Sequence, residues 1–161
     1  MAILNMRLDG DEILRKVSKP VTQFDEKLGQ FIDDMVETLT RQDGAGLAAV
    51  QVGRLRRLFL VDAGEGPMVF VNPEILETSG TQTGLEGCLS FPGQWGMVTR
   101  PNYVKIKAQD RFGNWFEYEG EGLCARALVH ENDHLNGILF QDGDCRMLSE
   151  EEVDEIVSRD E

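Results

Sequence analysis

Basic residues are scarce in this chain: 16 Lys and Arg stand against 29 Asp and Glu, a formal net charge of −13. Phosphate backbones are held by clustered Lys and Arg that displace counterions, so direct nucleic-acid binding is not expected. The one basic cluster, Arg54-Leu-Arg-Arg57, is expected as a solvated loop ahead of a strand. Cysteine is sparse too. Cys88, Cys124 and Cys145 form an odd set, which argues against a disulfide scaffold and leaves thiols free to ligate metal. Long hydrophobic runs are lacking. Stretches such as Leu58-Phe-Leu-Val61 fall far short of the roughly 20 residues that cross a bilayer, so no membrane partner is expected. Residues 1 to 20 carry charges throughout, with no apolar core of a secretory leader, and a cytoplasmic location is expected. The length suits one domain, 1–161, which at this size buries about 70% of its unfolded surface.

Between these absences the chain shows regular patterning. From Asp25 to Gln42, Leu28, Phe31, Ile32, Met35, Val36 and Leu39 recur at offsets of three and four, one stripe of an amphipathic helix. Asp43-Gly-Ala-Gly46 ends it in a turn whose glycines let the backbone approach a neighbouring site. The middle of the chain predicts strands over Leu58 to Asp62, Met68 to Asn72, Ile75 to Thr83, Gly96 to Thr99 and Asn102 to Asp110. Arg111-Phe-Gly-Asn114 then reads as a hairpin turn into a strand over Trp115 to Glu119. A helix follows from about Leu123 to Asn136, with Gly137 where a C-terminal cap belongs. Ser149-Glu-Glu-Glu152 has capping-box spacing and opens a short acidic C-terminal helix within 149–161. Strands and helices are segregated, so the expected class is α+β, with antiparallel β-sheets packed around a central helix.

That central helix carries the only two histidines, His130 and His134, with Glu131 beside the first. Four residues apart on a helix, both imidazoles share one face, with Cβ atoms roughly 5 to 6 Å apart. This HExxH pattern lets two neutral imidazoles bind a divalent cation while the glutamate handles the proton of a water. A third protein ligand is still required. The pattern HExxHxxGxxH places Gly137 in register but puts Phe140 where the third histidine belongs, which excludes that protease type. A zinc endopeptidase drawing its ligand from a following helix stays open, with Glu155 the best placed glutamate. Among the cysteines, Cys124 lies six residues before His130, about 240° around the helix, and is expected to pack as a small apolar residue. Spacing alone leaves Cys88 and Cys145. Cys88 is favoured because Leu85-Glu-Gly-Cys-Leu-Ser-Phe-Pro-Gly93 is an irregular segment whose backbone N–H groups could face a substrate.

Three segments, Gly44-Ala-Gly-Leu-Ala-Ala-Val-Gln51, Glu86-Gly-Cys-Leu-Ser90 and His130-Glu-Asn-Asp-His134, resemble in order and spacing the motifs of peptide deformylase. The similarity runs from Gly10-Asp-Glu-Ile-Leu-Arg15 to about Phe140. The resemblance implies removal of the formyl group from N-formylmethionyl nascent peptides, with Cys88, His130 and His134 as metal ligands. It makes Glu131 the general acid/base, with Gln51 and the Leu89 backbone N–H donating to the oxyanion. It also implies one divalent metal ion, Fe(II), for which Zn, Ni or Co can substitute. Ala45, Gly46, Leu123 and Ala127 are candidate substrate-binding positions. A non-catalytic metal-binding relative is the remaining alternative.

The chain departs from the family pattern in places. Val50 stands where many relatives have proline, and Val129 where glutamine commonly precedes the metal-binding histidine. Arg100 and Asp133 are expected to pair near the metal ligands. The acidic tail makes ribosome docking through the C-terminus doubtful, since ribosomal RNA would repel it.

Overall fold

Helix α1 (Glu26–Gln42) forms where the apolar stripe predicts, started by the Asp25 side chain, which accepts from Leu28 N at 3.0 Å. The computed structural model describes residues 3–159. Leu28, Ile32, Met35 and Leu39 are buried, and Phe31 and Val36 pack beside them. Among the described residues eight strands follow: β1 (Gly46–Ala48), β2 (Leu58–Asp62), β3 (Pro67–Ser79), β4 (Gln82–Glu86), β5 (Gly96–Arg100), β6 (Tyr103–Gln109), β7 (Trp115–Glu121) and β8 (Cys145–Met147). Helix α2 (Leu123–Leu135) lies between β7 and β8, and α3 (Glu150–Arg159) comes last.

The strands form two antiparallel sheets, one in the order β1-β2-β3-β6-β7 and one in the order β4-β5-β8. Alternation along β2 explains the layering. Leu58 and Leu60 face the cluster containing α1, whereas Phe59 and Val61 face the cluster containing Ala125, Leu128 and Leu135 of α2. Strand β2 is therefore covered on both faces, which is why it reads as a continuous apolar run. Phe59 and Phe70 stack at 5.2 Å between ring centroids beneath α2. Helix α2 also meets β5 of the smaller sheet, so it sits where the two sheets approach each other. No helix among the described residues is long and apolar enough to cross a membrane.

Two strand boundaries differ from those the sequence pattern predicts. Met68 to Asn72 and Ile75 to Thr83 are not separate strands, because β3 runs unbroken from Pro67 to Ser79. It passes Pro73 by a shift of register between Val71 and Glu74, where Asn72 takes a positive φ of 50°. The Asn72 side chain fixes this bend, accepting from Val21 N at 2.8 Å and donating to Val21 O at 2.9 Å. The chain then turns at Gly80, and β4 pairs in the other sheet. Strands β1 and β8, three residues each, are too short to show a period.

The expected end motifs are present. Ser149 Oγ accepts from Glu152 N and Glu152 Oε1 accepts from Ser149 N, both at 3.1 Å, closing the capping box of α3. At the end of α2, Gly137 N donates to His134 O and Ile138 N to Asp133 O, a Schellman motif that requires the positive φ of 72° at Gly137. Arg57 was expected to be solvated; instead its Nη1 donates to Leu135 O at 3.0 Å and to Ser18 O at 3.4 Å. A carbonyl at a helix C-terminus attracts a cation, and this contact, beside the Ser18 N–H that donates to the same oxygen at 2.8 Å, holds the last turn of α2 against the start of β2.

Candidate active site

Helix α2 presents His130 and His134 on one buried face, with ring centroids 5.0 Å apart. The irregular segment after β4 carries Cys88 up to them, and Cys88 Sγ lies 3.4 Å from His134 Nε2. One ligand atom each from Cys88, His130 and His134 falls within a mutual 4.8 Å. Of the cysteines left open by spacing, Cys88 joins this group, whereas Cys145 packs beside Met147 with its Sγ 3.7 Å from the thioether. Cys124 packs between Gly120 and Leu128, as its place on the helix predicts. Glu155 lies exposed on α3 and is not part of the converging group, which removes the ligand that the endopeptidase alternative needs.

The donors suit a soft, borderline divalent ion: one thiol and two imidazoles. His130 Nδ1 bonds to Glu86 Oε1, which leaves Nε2 for the group. Burial opposes charge on His130, but its bonds to Cys88 and Glu86 outweigh that and raise its pKa to about 10. The same negative groups that draw a proton there would draw a metal cation in its place. Burial pushes His134 well below its usual pKa, so it stands neutral, as a ligand must. Among the described residues, His134 Nδ1 and Glu131 Oε1 are buried without a hydrogen-bond partner. An uncompensated carboxylate beside two imidazoles and a thiol is costly unless a cation or substrate completes it. The residues present fit a metal ion.

Burial also pushes the Glu131 carboxyl up to about 7, against the opposing pull of His130. Gln51 is buried in the short 3-10 turn after β1, where its Oε1 accepts from Ala48 N at 2.9 Å. That bond fixes the amide, and Nε2 then points to Ser90 Oγ at 3.1 Å and Cys88 Sγ at 3.4 Å.

A cleft of about 520 Å³ opens over these groups, and Gln51, Cys88, Leu89, His130 and Glu131 all line it. Ala45, Gly46, Leu123 and Ala127 line it as well. Leu123 is 80% exposed, so it is a rim residue rather than core. Sequence reasoning missed Leu85 and Trp95, which complete the apolar wall, and assigned no task to Glu86 or Arg126. For Arg126 a signal existed: it stands four residues before His130 on the same face, where a cation demands an anion. The Arg100–Asp133 pair forms as expected, at 2.9 Å, and Arg100 also holds Glu86. Val50 is buried beneath α2, and Val129 packs partly buried on the same cluster.

A converged Cys and His donor set beside a buried glutamate, at the base of a cleft in an α+β fold, defines a metal-dependent hydrolase. The polypeptide deformylase family model matches residues 3–148. The chain belongs to the peptide deformylase family, hydrolases of protein synthesis that remove the N-formyl group from nascent polypeptides. It is 54% identical over 159 residues to a peptide deformylase of Caldicellulosiruptor bescii, covering 99% of this chain and 96% of that one. Its structure matches the crystal structure of the Thermotoga maritima peptide deformylase with a TM-score of 0.86 and 47% identity, covering 88% and 97% of the two chains. A Met-Ala-Ser-bound peptide deformylase from Acinetobacter baumannii matches with a TM-score of 0.82 and 36% identity, covering 88% and 98%.

Proposed function

We propose that the chain acts as one catalytic domain in which Cys88, His130 and His134 hold a single divalent cation and Glu131 moves the protons of formamide hydrolysis. The observation that carries this reading is the convergence of those three ligand atoms within 4.8 Å, beside a Glu131 that is 4% exposed. The bound cation would supply Lewis acidity, lowering the pKa of a coordinated water from about 15.7 toward about 7. Glu131, poised near 7 by burial, accepts the proton of the attacking water. The water oxygen bonds to the formyl carbon while Gln51 Nε2 and the Leu89 N–H donate to the carbonyl oxygen as it gains charge. Loss of one such donor costs roughly 10² to 10³ in rate. Glu131 returns its proton to the departing amine nitrogen, the C–N bond breaks, and formate and a free methionyl amine leave.

The cleft lies between β1, an edge strand of the larger sheet, and β4, an edge strand of the smaller. An extended peptide has free backbone groups to pair with there. Its methionine side chain is assigned to the wall formed by Ala45, Gly46, Leu123 and Ala127. Iron(II) is the cation assigned by family resemblance; zinc, nickel and cobalt satisfy the same donors. Nascent formylmethionyl chains are the partner, reached without the acidic helix α3. Glu131→Gln tests the proton role: it should keep its metal and release no formate from formyl-Met-Ala-Ser. Wild-type rates in that variant would remove Glu131 from the reaction.

A further inference from the structure

Arg126 stands one turn before His130 on α2, and its side chain is 7% exposed. A buried guanidinium has five donors to satisfy, and three acceptors surround this one. Nη1 donates to Glu86 Oε2 at 2.6 Å and to Val98 O at 3.1 Å, and Nη2 lies 3.5 Å from Gln82 Oε1. Arg126 thus ties α2 to β4 and β5 at the level of the cleft.

Glu86 receives the consequence. Its side chain is 5% exposed, and each carboxylate oxygen takes two donors. Oε1 takes His130 Nδ1 and Arg100 Nη2, and Oε2 takes Arg100 Nε at 3.2 Å and Arg126 Nη1. Two guanidiniums approaching from different elements fix the carboxylate plane in a way that one cannot. With Arg100 alone, the carboxylate could turn about a single fork, and the His130 ring would turn with it. A ligand whose ring nitrogen is anchored in this manner depends on its outer partner, and removing such a partner typically costs 10- to 100-fold in metal affinity.

We propose that Arg126 is a positioning residue: by adding to Glu86 Oε2 a second guanidinium, carried by α2 rather than by β5, it holds the His130 imidazole in the orientation that metal binding requires. This rests on the assignment of His130 as a ligand. It predicts that Arg126 contributes to metal retention although it touches no ligand atom itself. Lysine would replace it only in part, because a single ammonium lacks the planar fork that reaches Glu86, Val98 O and Gln82 together.

The test uses the full chain loaded with Co(II), measuring the rate at which a chelator strips the metal and the visible absorption of bound cobalt. Arg126→Ala should release Co(II) about 10 to 100 times faster than wild type, with an altered cobalt spectrum. Added guanidinium ion at millimolar concentration should slow that release again. Arg126→Lys should be intermediate, and it carries the test if the alanine variant does not fold. Wild-type release and spectrum in both variants, with only the melting temperature lowered, would overturn the proposal by leaving Arg126 a purely structural tie. Cys88→Ala separates the two levels of inference. If it retains Co(II) as firmly as wild type, the metal-site assignment itself fails and this proposal falls with it.

Discussion

Glu131 Oε2 lies 2.5 Å from where a Cβ on Gly46 would stand, and Glu131 Cγ and Cδ lie 2.9 Å from the same point. Strand β1 and helix α2 therefore approach so closely that only hydrogen fits between the strand backbone and the Glu131 carboxylate. The backbone at Gly46 is not in the positive-φ region, so an alanine is limited by that contact rather than by conformation. Gly46→Ala should leave the fold intact and displace the carboxylate. A misplacement on the order of 1 Å at such a group costs about 10²-fold in rate. Steady-state kinetics beside a thermal melt will check this; wild-type kcat in a folded Gly46→Ala protein would show that the carboxylate position does not matter.

The proposed Fe(II), held beside the Cys88 sulfur, predicts sensitivity to oxygen. Ferrous iron oxidises readily, and its oxidation would put the half-buried Cys88 sulfur at the cleft at risk with it. Iron-loaded protein should lose activity during aerobic incubation, while nickel-loaded protein keeps it. Activity assays over time on the two forms decide the matter, and full survival of the iron form would count against iron as the working metal.

Helix α3 begins with Glu150, Glu151 and Glu152, and the whole chain is strongly acidic. Residues 149–161 should therefore contribute nothing to ribosome association, because RNA repels them. Deleting them should leave formate release and any ribosome co-sedimentation unchanged. Co-sedimentation that disappears with the deletion would reverse this reading.

Arg15 pairs with Asp142 and, by hydrogen bonding, holds the Asp142 carboxyl below its ordinary range. A depressed carboxylate pKa means the folded state binds its proton less tightly than the unfolded chain. The contribution is present above the unfolded value of about 3.9 and is lost as pH falls through the lower folded value. Arg15 is 56% exposed in its side chain, so solvent screening limits the pair to about 0.5 kcal/mol. Asp142→Asn keeps an acceptor for Leu139 N, which isolates the charge. Its stability deficit, read by denaturant melts, should be seen at neutral pH and vanish in strong acid. A deficit independent of pH would assign the effect to the Leu139 bond instead.

What could be read from the chain was local or periodic. The HExxH pair, the α1 stripe, the alternation in β6 and the capping box at Ser149 each declare themselves within a few residues. The cysteine choice was harder, since Cys88 and His134 are 46 positions apart and only the fold brings them to 3.4 Å. Contacts of that range produced the misses. Glu86 and Arg126 meet across 40 positions, and Arg57 reaches Leu135 across 78. No pattern marks β1 or β8 as strands, because three residues cannot display a period. The two strands expected over Met68 to Asn72 and Ile75 to Thr83 are joined in one, because the Asn72 side chain holds the bend between them and lets β3 run on to Ser79.

The proposed role of Cys88 as third ligand is what separates deformylation from the endopeptidase reading of the HExxH helix. The most direct measurement is metal content together with formate release from formyl-Met-Ala-Ser, for anaerobically purified wild type, Cys88→Ala and Glu155→Ala. Wild type and Glu155→Ala should each hold about one metal ion per chain and release formate, while Cys88→Ala loses both, as expected when one of three protein ligands is removed. Metal and formate release retained in Cys88→Ala, or lost in Glu155→Ala, would contradict the assignment of the thiolate as the third ligand.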